Sequence, residues 1–233
     1  MRDVIIACDF SSRLETMTFL QHFEGENPYL KIGMELFYGE GPDIVREIKG
    51  KGFSLFLDLK LHDIPNTVKK AMANLSRLGI DMVNVHAAGT IAMMEAAREG
   101  LYMGAAPGKT IQLIAVTQLT STSEQAMQRE LLIKESLTET VAKYAQNAKT
   151  AGLNGVVCSP LETRLVKEAC GDDFLTVTPG IRYPDGSMDD QKRVTSPAMA
   201  RAFGSDFIVV GRTITAEKDP KAAWLRVKSD FVG

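Results

Sequence analysis

Two groups of residues carry the chemical signal in this sequence. The first is a set of charges inside apolar segments: Lys31 in Tyr29-Leu-Lys-Ile-Gly33, and Asp58, Lys60 and Asp63 in Phe56-Leu-Asp-Leu-Lys-Leu-His-Asp63. Side chains alternate faces along a strand, so Asp58 and Lys60 are expected on one face and Leu57, Leu59 and Leu61 on the other. Lys31 on a neighbouring strand would complete a row of alternating charge: Lys31, Asp58, Lys60, Asp63. Such a row either neutralises itself as a buried network or serves a function. A buried ion pair stabilises a fold poorly compared with apolar packing, which speaks for function.

The second group is Gly180-Ile-Arg182 with Gly211-Arg212. Glycine lets the backbone approach an anion, and arginine presents a bidentate fork to phosphate oxygens. Either segment alone could be an arginine capping a surface loop; the two together point to a phosphate site. Tyr183 to Val194 between them is polar and longer than a usual connection. It reads as a lid beside the phosphate site or as a solvated loop.

What must position these residues is a regular alternation of short β-branched runs and helical stretches. The strand candidates are Val4–Cys8, Tyr29–Gly33, Ser54–Leu59, Met82–His86, Ile111–Thr117, Gly155–Cys158, Leu175–Thr178 and Phe207–Val210. Helical patterns cover Leu14–His22, Pro42–Lys49, Thr67–Leu78, Ile91–Gly100, Ser136–Ala151, Pro160–Ala169, Ser196–Phe203 and Pro220–Val227. Eight βα units in 233 residues predict the α/β class, as a single (β/α)8 TIM barrel spanning residues 1–233. In such a barrel chemistry sits at the C-terminal ends of the strands, where Asp9, Asp58, Lys60, His86, Thr117, Thr120, Arg182 and Arg212 all fall. An open doubly wound sheet would bring a Gly-rich turn after its first strand, but Asp9-Phe-Ser-Ser12 stands there.

Composition narrows the function. With 45% hydrophobic and 24% charged residues and a net charge of -2, the chain has neither the basic excess of a nucleic-acid binder nor a charged tail. No apolar run is long enough for a signal-peptide core or a membrane span. Cys8, Cys158 and Cys170 lack paired spacing and read as free thiols, so a cytoplasmic location is expected. His22, His62 and His86 lack metal-ligand spacing. His22 and His62 are expected to face outward, and His86 either lines the mouth or packs. No serine elbow or P-loop lysine occurs. The methionines and Trp224 read as core.

The segment Phe56-Leu-Asp58-Leu-Lys60-Leu-His-Asp63-Ile-Pro65-Asn-Thr67-Val68 resembles the signature of the orotidine 5′-phosphate decarboxylase family, D-x-K-x-x-D-I-P-x-T. Other segments match in order: Ala7-Cys-Asp9, Leu30-Lys31-Ile-Gly33, Val85-His86-Ala, Thr117-Gln-Leu-Thr120, Thr178-Pro-Gly180-Ile-Arg182, Asp189-Asp-Gln191-Lys-Arg193-Val and Val210-Gly211-Arg212. The spacing is similar to the shorter, bacterial type. Thr195-Ser-Pro197 departs slightly from the expected Thr-Pro.

The resemblance implies a barrel that converts orotidine 5′-phosphate to UMP and CO2 in pyrimidine synthesis, without metal or organic cofactor. It implies a homodimer with shared active sites. Lys60 would then donate a proton to C6, Asp58 would lie near the leaving carboxylate, and Lys31 would hold Asp58 and contact the ribose. Asp9 would bind a ribose hydroxyl and Thr120 the base. Asp63 and Thr67 would reach the neighbouring subunit's site. Arg182, Gln191, Gly211 and Arg212 would bind the phosphate end. Two rivals remain: a Mg2+-dependent sugar-phosphate decarboxylase or aldolase on the same barrel, and a nucleotide binder without catalysis. The Ile-Pro-x-Thr and Asp-Gln-x-Arg segments argue against the first, and Lys60 argues against the second.

Overall fold

The computed structural model describes residues 2–183 and 195–233. Its strands are β1 (Asp3–Ala7), β2 (Tyr29–Gly33), β3 (Ser54–Leu61), β4 (Met82–His86), β5 (Gln112–Val116), β6 (Gly155–Val157), β7 (Leu175–Thr178) and β8 (Phe207–Val210). They form a closed barrel in sequence order, every neighbouring pair parallel, with β8 returning to β1. Closure leaves no strand edge for aggregation. The eight expected strands are all present. Cys8, Thr117 and Cys158 fall just outside their strands, and β3 runs on past Leu59 to Leu61.

Strand period sets the two sides of the barrel. Leu55, Leu57 and Leu59 of β3 point outward into the main core, where helices cover them. Phe56 points inward with Ile5, Met82, Ile114, Val177 and Phe207. The barrel is thus a packed core from its base up to a level where the inward positions turn polar. Each fully buried Leu or Phe contributes roughly 1.5–3 kcal/mol. Lys31 and Asp58, also inward and buried, forgo that contribution.

The expected helices form with shifted ends. Leu14–His22 becomes an α-helix over Arg13–Leu20 and a 3-10 turn over Gln21–Phe23, and Pro160–Ala169 becomes a 3-10 turn and the helix Thr163–Cys170. Three short helices were not expected: Met34–Glu40, Glu124–Glu130 and Arg212–Thr215. Ser136 starts the helix Leu137–Thr150 with a capping box, its hydroxyl accepting from the Glu139 N–H. Gly204 ends the helix Pro197–Phe203 at φ 92°, a left-handed position that glycine adopts without strain.

At the N-terminal face, three residues that each precede an even-numbered strand reach back to the strand before. Asp81 accepts from the Leu55 N–H at 2.8 Å, Asn154 from Leu113 N–H at 2.8 Å and Asp206 from Thr176 N–H at 2.8 Å. Lys49 and Lys109 pair with Asp81, and Lys167 pairs with Asp206. These contacts hold strand register on the face opposite the polar level, where barrels keep their stability rather than their chemistry.

Among the described residues, no helix is long and apolar enough to cross a membrane. Cys8, Cys158 and Cys170 are free and buried. The methionines divide: Met72, Met82, Met93, Met94 and Met127 are core, whereas Met34, Met103 and Met199 are exposed. A flexible thioether is tolerated in either place.

Candidate active site

A cavity of about 800 Å³ opens at the C-terminal ends of the strands. That lies within the range of small-molecule sites. Its floor is apolar, formed by Ala7, Phe56, Val116, Val157 and Val209, and its walls carry Asp9, Lys31, Asp58, Lys60, Gln118 and Thr120. Gly180 and Arg182 after β7, and Gly211 and Arg212 after β8, close the other side.

The charges form a chain of ion pairs. Lys31 Nζ lies 2.7 Å from Asp9 Oδ1 and 3.5 Å from Asp58 Oδ2, and Lys60 Nζ lies 2.7 Å from Asp58 Oδ1. The row is therefore Asp9, Lys31, Asp58, Lys60. This corrects the expected membership of Asp63, which is exposed in the loop after β3 and accepts from the Ile64 N–H at 2.6 Å. Strand period says nothing about a side chain beyond the strand's end, and Asp9 at the mouth of β1 takes the outer place instead.

Asp58 and Lys60 do share the inward side, but not through regular extension. Lys60 has φ 52°, in the left-handed region, and the β3–β4 register shifts between Leu57 and Leu61. A residue with a side chain held there costs on the order of 1–3 kcal/mol. The Lys60 N–H, out of the ladder, donates to Asn84 Oδ1 at 2.8 Å. Asn84 Nδ2 donates in turn to Asp58 Oδ1 at 2.6 Å. Sequence reasoning missed Asn84, although a lone amide inside the apolar β4 was a signal of the same kind as Lys31 in β2. It also missed Gln118, which is buried on the cavity wall. Gly33, at the end of β2, also borders the cavity.

Burial pushes the Asp58 carboxyl up, but Lys31, Lys60 and the Asn84 amide outweigh it and hold the group below the usual carboxylate range. Burial likewise pushes the Lys31 ammonium down. The Asp58 and Asp9 carboxylates outweigh that and raise it above the ordinary lysine value. Lys31 and Asp58 are thus both ionised at neutral pH, and each Asp58 oxygen faces an ammonium group.

His86 packs rather than lines this cavity. Its ring lies 5.8 Å from that of His62, tilted by 39°. Burial first, then His62 and Lys60, hold its pKa below the usual histidine value, so it is neutral at pH 7. His22 and His62 are exposed, as expected. Thr117 is buried and donates to the Val157 carbonyl at 2.9 Å, so it belongs to the wall's structure and not to the cavity.

On the arginine side of the cavity, Gly180 has φ 82° and the Thr195 N–H donates to its carbonyl at 3.1 Å. The Arg182 N–H donates to the Thr195 carbonyl at 3.1 Å. This pair of bonds ties the two ends of the 183–194 stretch together. Tyr183 is anchored through its hydroxyl to Asp230, under the Arg226 guanidinium 4.1 Å from its ring centre. Gln191 and the expected lid beyond Tyr183 lie outside the described residues. Arg212 opens the short helix Arg212–Thr215 with Gly211 as its cap.

Asp63 and Thr67 do not line the main cavity. They flank a smaller hollow of about 320 Å³ with Met34, Tyr38, Lys60 and His62. Lys60 borders both spaces. Met34, Tyr38 and Ile64 leave an apolar surface exposed beside it.

The arrangement joins an ammonium, paired to a carboxylate over an apolar floor, with a glycine and arginine rim suited to an anion. Residues 2–227 match the family model described as Orotidine 5'-phosphate decarboxylase / HUMPS family. The chain is similar to the orotidine 5'-phosphate decarboxylases of Listeria monocytogenes, at 57% identity over 99% of both chains, and of Bacillus cytotoxicus, at 54% over 100% of this chain and 98% of that one. It is also similar to the crystal structure of orotidine 5'-phosphate decarboxylase from Lactobacillus acidophilus, with a TM-score of 0.90, 41% identity and full coverage of both chains.

Proposed function

The chain belongs to the Orotidine 5'-phosphate decarboxylase / HUMPS family, and from that premise we propose that it converts orotidine 5′-phosphate to UMP and CO2 without a cofactor. One observation carries this reading: the Lys31–Asp58–Lys60 chain of ion pairs stands over an apolar floor, in the same cavity as Arg182 and Arg212. A phosphate binder needs the arginines; it does not need Lys60.

Loss of CO2 from C6 leaves an electron pair in the plane of the pyrimidine ring, where the π system cannot accept it. A site without a cofactor must stabilise it by charges already in place. The Lys60 ammonium is that charge. It then gives a proton to C6 and is left as a neutral amine, to be reprotonated from solvent. Asp58 holds Lys60 by pairing and crowds the substrate carboxylate. Two like charges ~4 Å apart repel by about 4 kcal/mol at an effective dielectric of 20. Lys31 keeps Asp58 ionised, and Asp9 fixes Lys31 and meets the ribose.

Gly211, Arg182, Arg212 and Gln191 take the phosphate, and Thr120 the base. Binding energy gained at the phosphate, remote from C6, offsets the crowding of charge at the reacting centre. A Mg2+ ion at this row would compete with two ammonium groups for Asp58, which favours metal independence.

The enzyme works as a homodimer in this reading. Asp63 and Thr67 lie outside the main cavity of their own chain, beside exposed Met34, Tyr38 and Ile64. A second copy seated there would receive both residues at the edge of its own site.

The test is direct. Orotidine 5′-phosphate is added to EDTA-treated protein and its ultraviolet absorbance is followed. Conversion to UMP is expected. No conversion by folded protein, with activity on a sugar phosphate once Mg2+ is restored, would overturn both the substrate and the metal independence.

A further inference from the structure

Five residues of β3, Leu57 to Leu61, run beside only three of β4, Val83 to Val85. The surplus leaves Lys60 outside the ladder with a left-handed backbone. A backbone N–H at such a place needs a substitute partner. The fully buried Asn84, from the facing stretch of β4, supplies it. The same amide donates to the Asp58 oxygen on which the Lys60 ammonium also rests. A carboxylate can only accept, so the amide's orientation is set by its two partners. Asn84 is fully buried and does not border the cavity.

We infer that Asn84 is a positioning residue: its one amide locks the left-handed Lys60 backbone and the Asp58 carboxylate together, and so sets the geometry of the pair. The inference rests on the reading of Lys60 and Asp58 as the reacting pair. A structural filler would need only the volume of the side chain. A positioning residue needs its donor and its acceptor at once.

Two variants separate these roles. Asn84→Leu keeps the approximate volume and removes both hydrogen bonds. It should lower kcat by about 10–100-fold while KM and UMP affinity stay within about threefold. Asn84→Asp keeps the shape. Ionised, it can hold the Lys60 N–H but repels Asp58; protonated, it donates and accepts as the amide does. Its kcat relative to the unaltered protein should therefore recover as pH is lowered.

Unchanged kcat in Asn84→Leu would overturn the inference. So would a fall in kcat and UMP affinity with a rise in KM, all in step with thermal stability, or an Asn84→Asp ratio flat with pH. Should Asn84→Leu fail to fold, the pH ratio of Asn84→Asp decides. If the unaltered protein does not turn over orotidine 5′-phosphate, the functional reading fails on its own. A crystal structure of the Asn84 variants then decides the positioning role. Loss of the left-handed Lys60 backbone with separation of Lys60 from Asp58 supports it, and an unchanged pair overturns it.

Discussion

Lys60 Nζ donates to Asp58 Oδ1 across 2.7 Å, although the backbone between the two residues leaves extended geometry. Asp58 does not depend on Lys60 alone: Lys31 and Asn84 also hold it. Removing the Lys60 side chain therefore leaves a compensated carboxylate and an intact barrel. Lys60→Ala is expected to lower kcat by at least about 10³-fold, as loss of the group that meets the developing charge. UMP affinity should change little, because Arg182 and Arg212 remain. Single-turnover assays with orotidine 5′-phosphate and calorimetric titration with UMP check both parts; near-normal turnover would remove Lys60 from its role.

How far the sequence reveals this site depends on what kind of pattern each residue obeys. The strands were legible because a parallel sheet covered on both faces reads as short apolar runs. Asp58, Lys60 and Lys31 were legible for the same reason, as charges breaking those runs. Asp63 falls outside the row because it lies past the end of β3, where alternation no longer applies. The left-handed Lys60 was invisible because a bulge preserves the sequence pattern while changing the path of the chain. Asn84 is hard to see because a neutral amide breaks an apolar run less than a charge does, and Gln118 because it follows the end of β5 in a polar segment. The helices Met34–Glu40 and Glu124–Glu130 are too short to show a clear helical period.

Arg212 tests the proposed phosphate half of the cavity independently of the chemistry. A charge-assisted hydrogen bond to an anion is worth about 1.5–3 kcal/mol, so Arg212→Ala should weaken UMP binding by roughly tenfold to a hundredfold. Uridine, which lacks the phosphate, should bind the variant and the unaltered protein alike. Titration of both ligands against both proteins measures the difference. An equal loss for uridine would place the effect in folding or in the base site.

Asp81 gives a stability prediction on the opposite face. Burial raises its carboxyl, but hydrogen bonds from Lys109, Lys49 and the Leu55 N–H outweigh this and depress its pKa. A carboxyl depressed in the folded state binds fewer protons there than in the unfolded chain. Its contribution is therefore present above the unfolded value of about 3.9 and is lost as pH falls through the lower folded value. Asp81→Asn should cost about 2 kcal/mol at neutral pH. The gap to the unaltered protein should be smaller at about pH 3, below the unfolded carboxyl value, where the unfolded chain takes up the proton that the folded Asp81 resists. Urea unfolding at the two pH values measures it. kcat should not change, since Asp81 lies at the far end of the barrel from Lys60.

Asp63 offers the sharpest test of a shared site. It sits outside the main cavity of its own chain, exposed, beside the hollow that borders Lys60. If a second copy completes the site, Lys60→Ala and Asp63→Ala chains fail for complementary reasons. Each homodimer carries the defect in both sites. A hybrid dimer carries both defects in one site and leaves the other whole, with Lys60 from one chain and Asp63 from its neighbour. Random exchange at equal concentration makes half of all dimers hybrid, so the mixture should recover about a quarter of full activity per site. Differently tagged chains and native mass spectrometry establish that exchange has occurred. Recovery near that fraction supports an active site built from two copies. No recovery in a mixture shown to contain hybrids would confine the site to one chain and return Asp63 to an ordinary surface carboxylate.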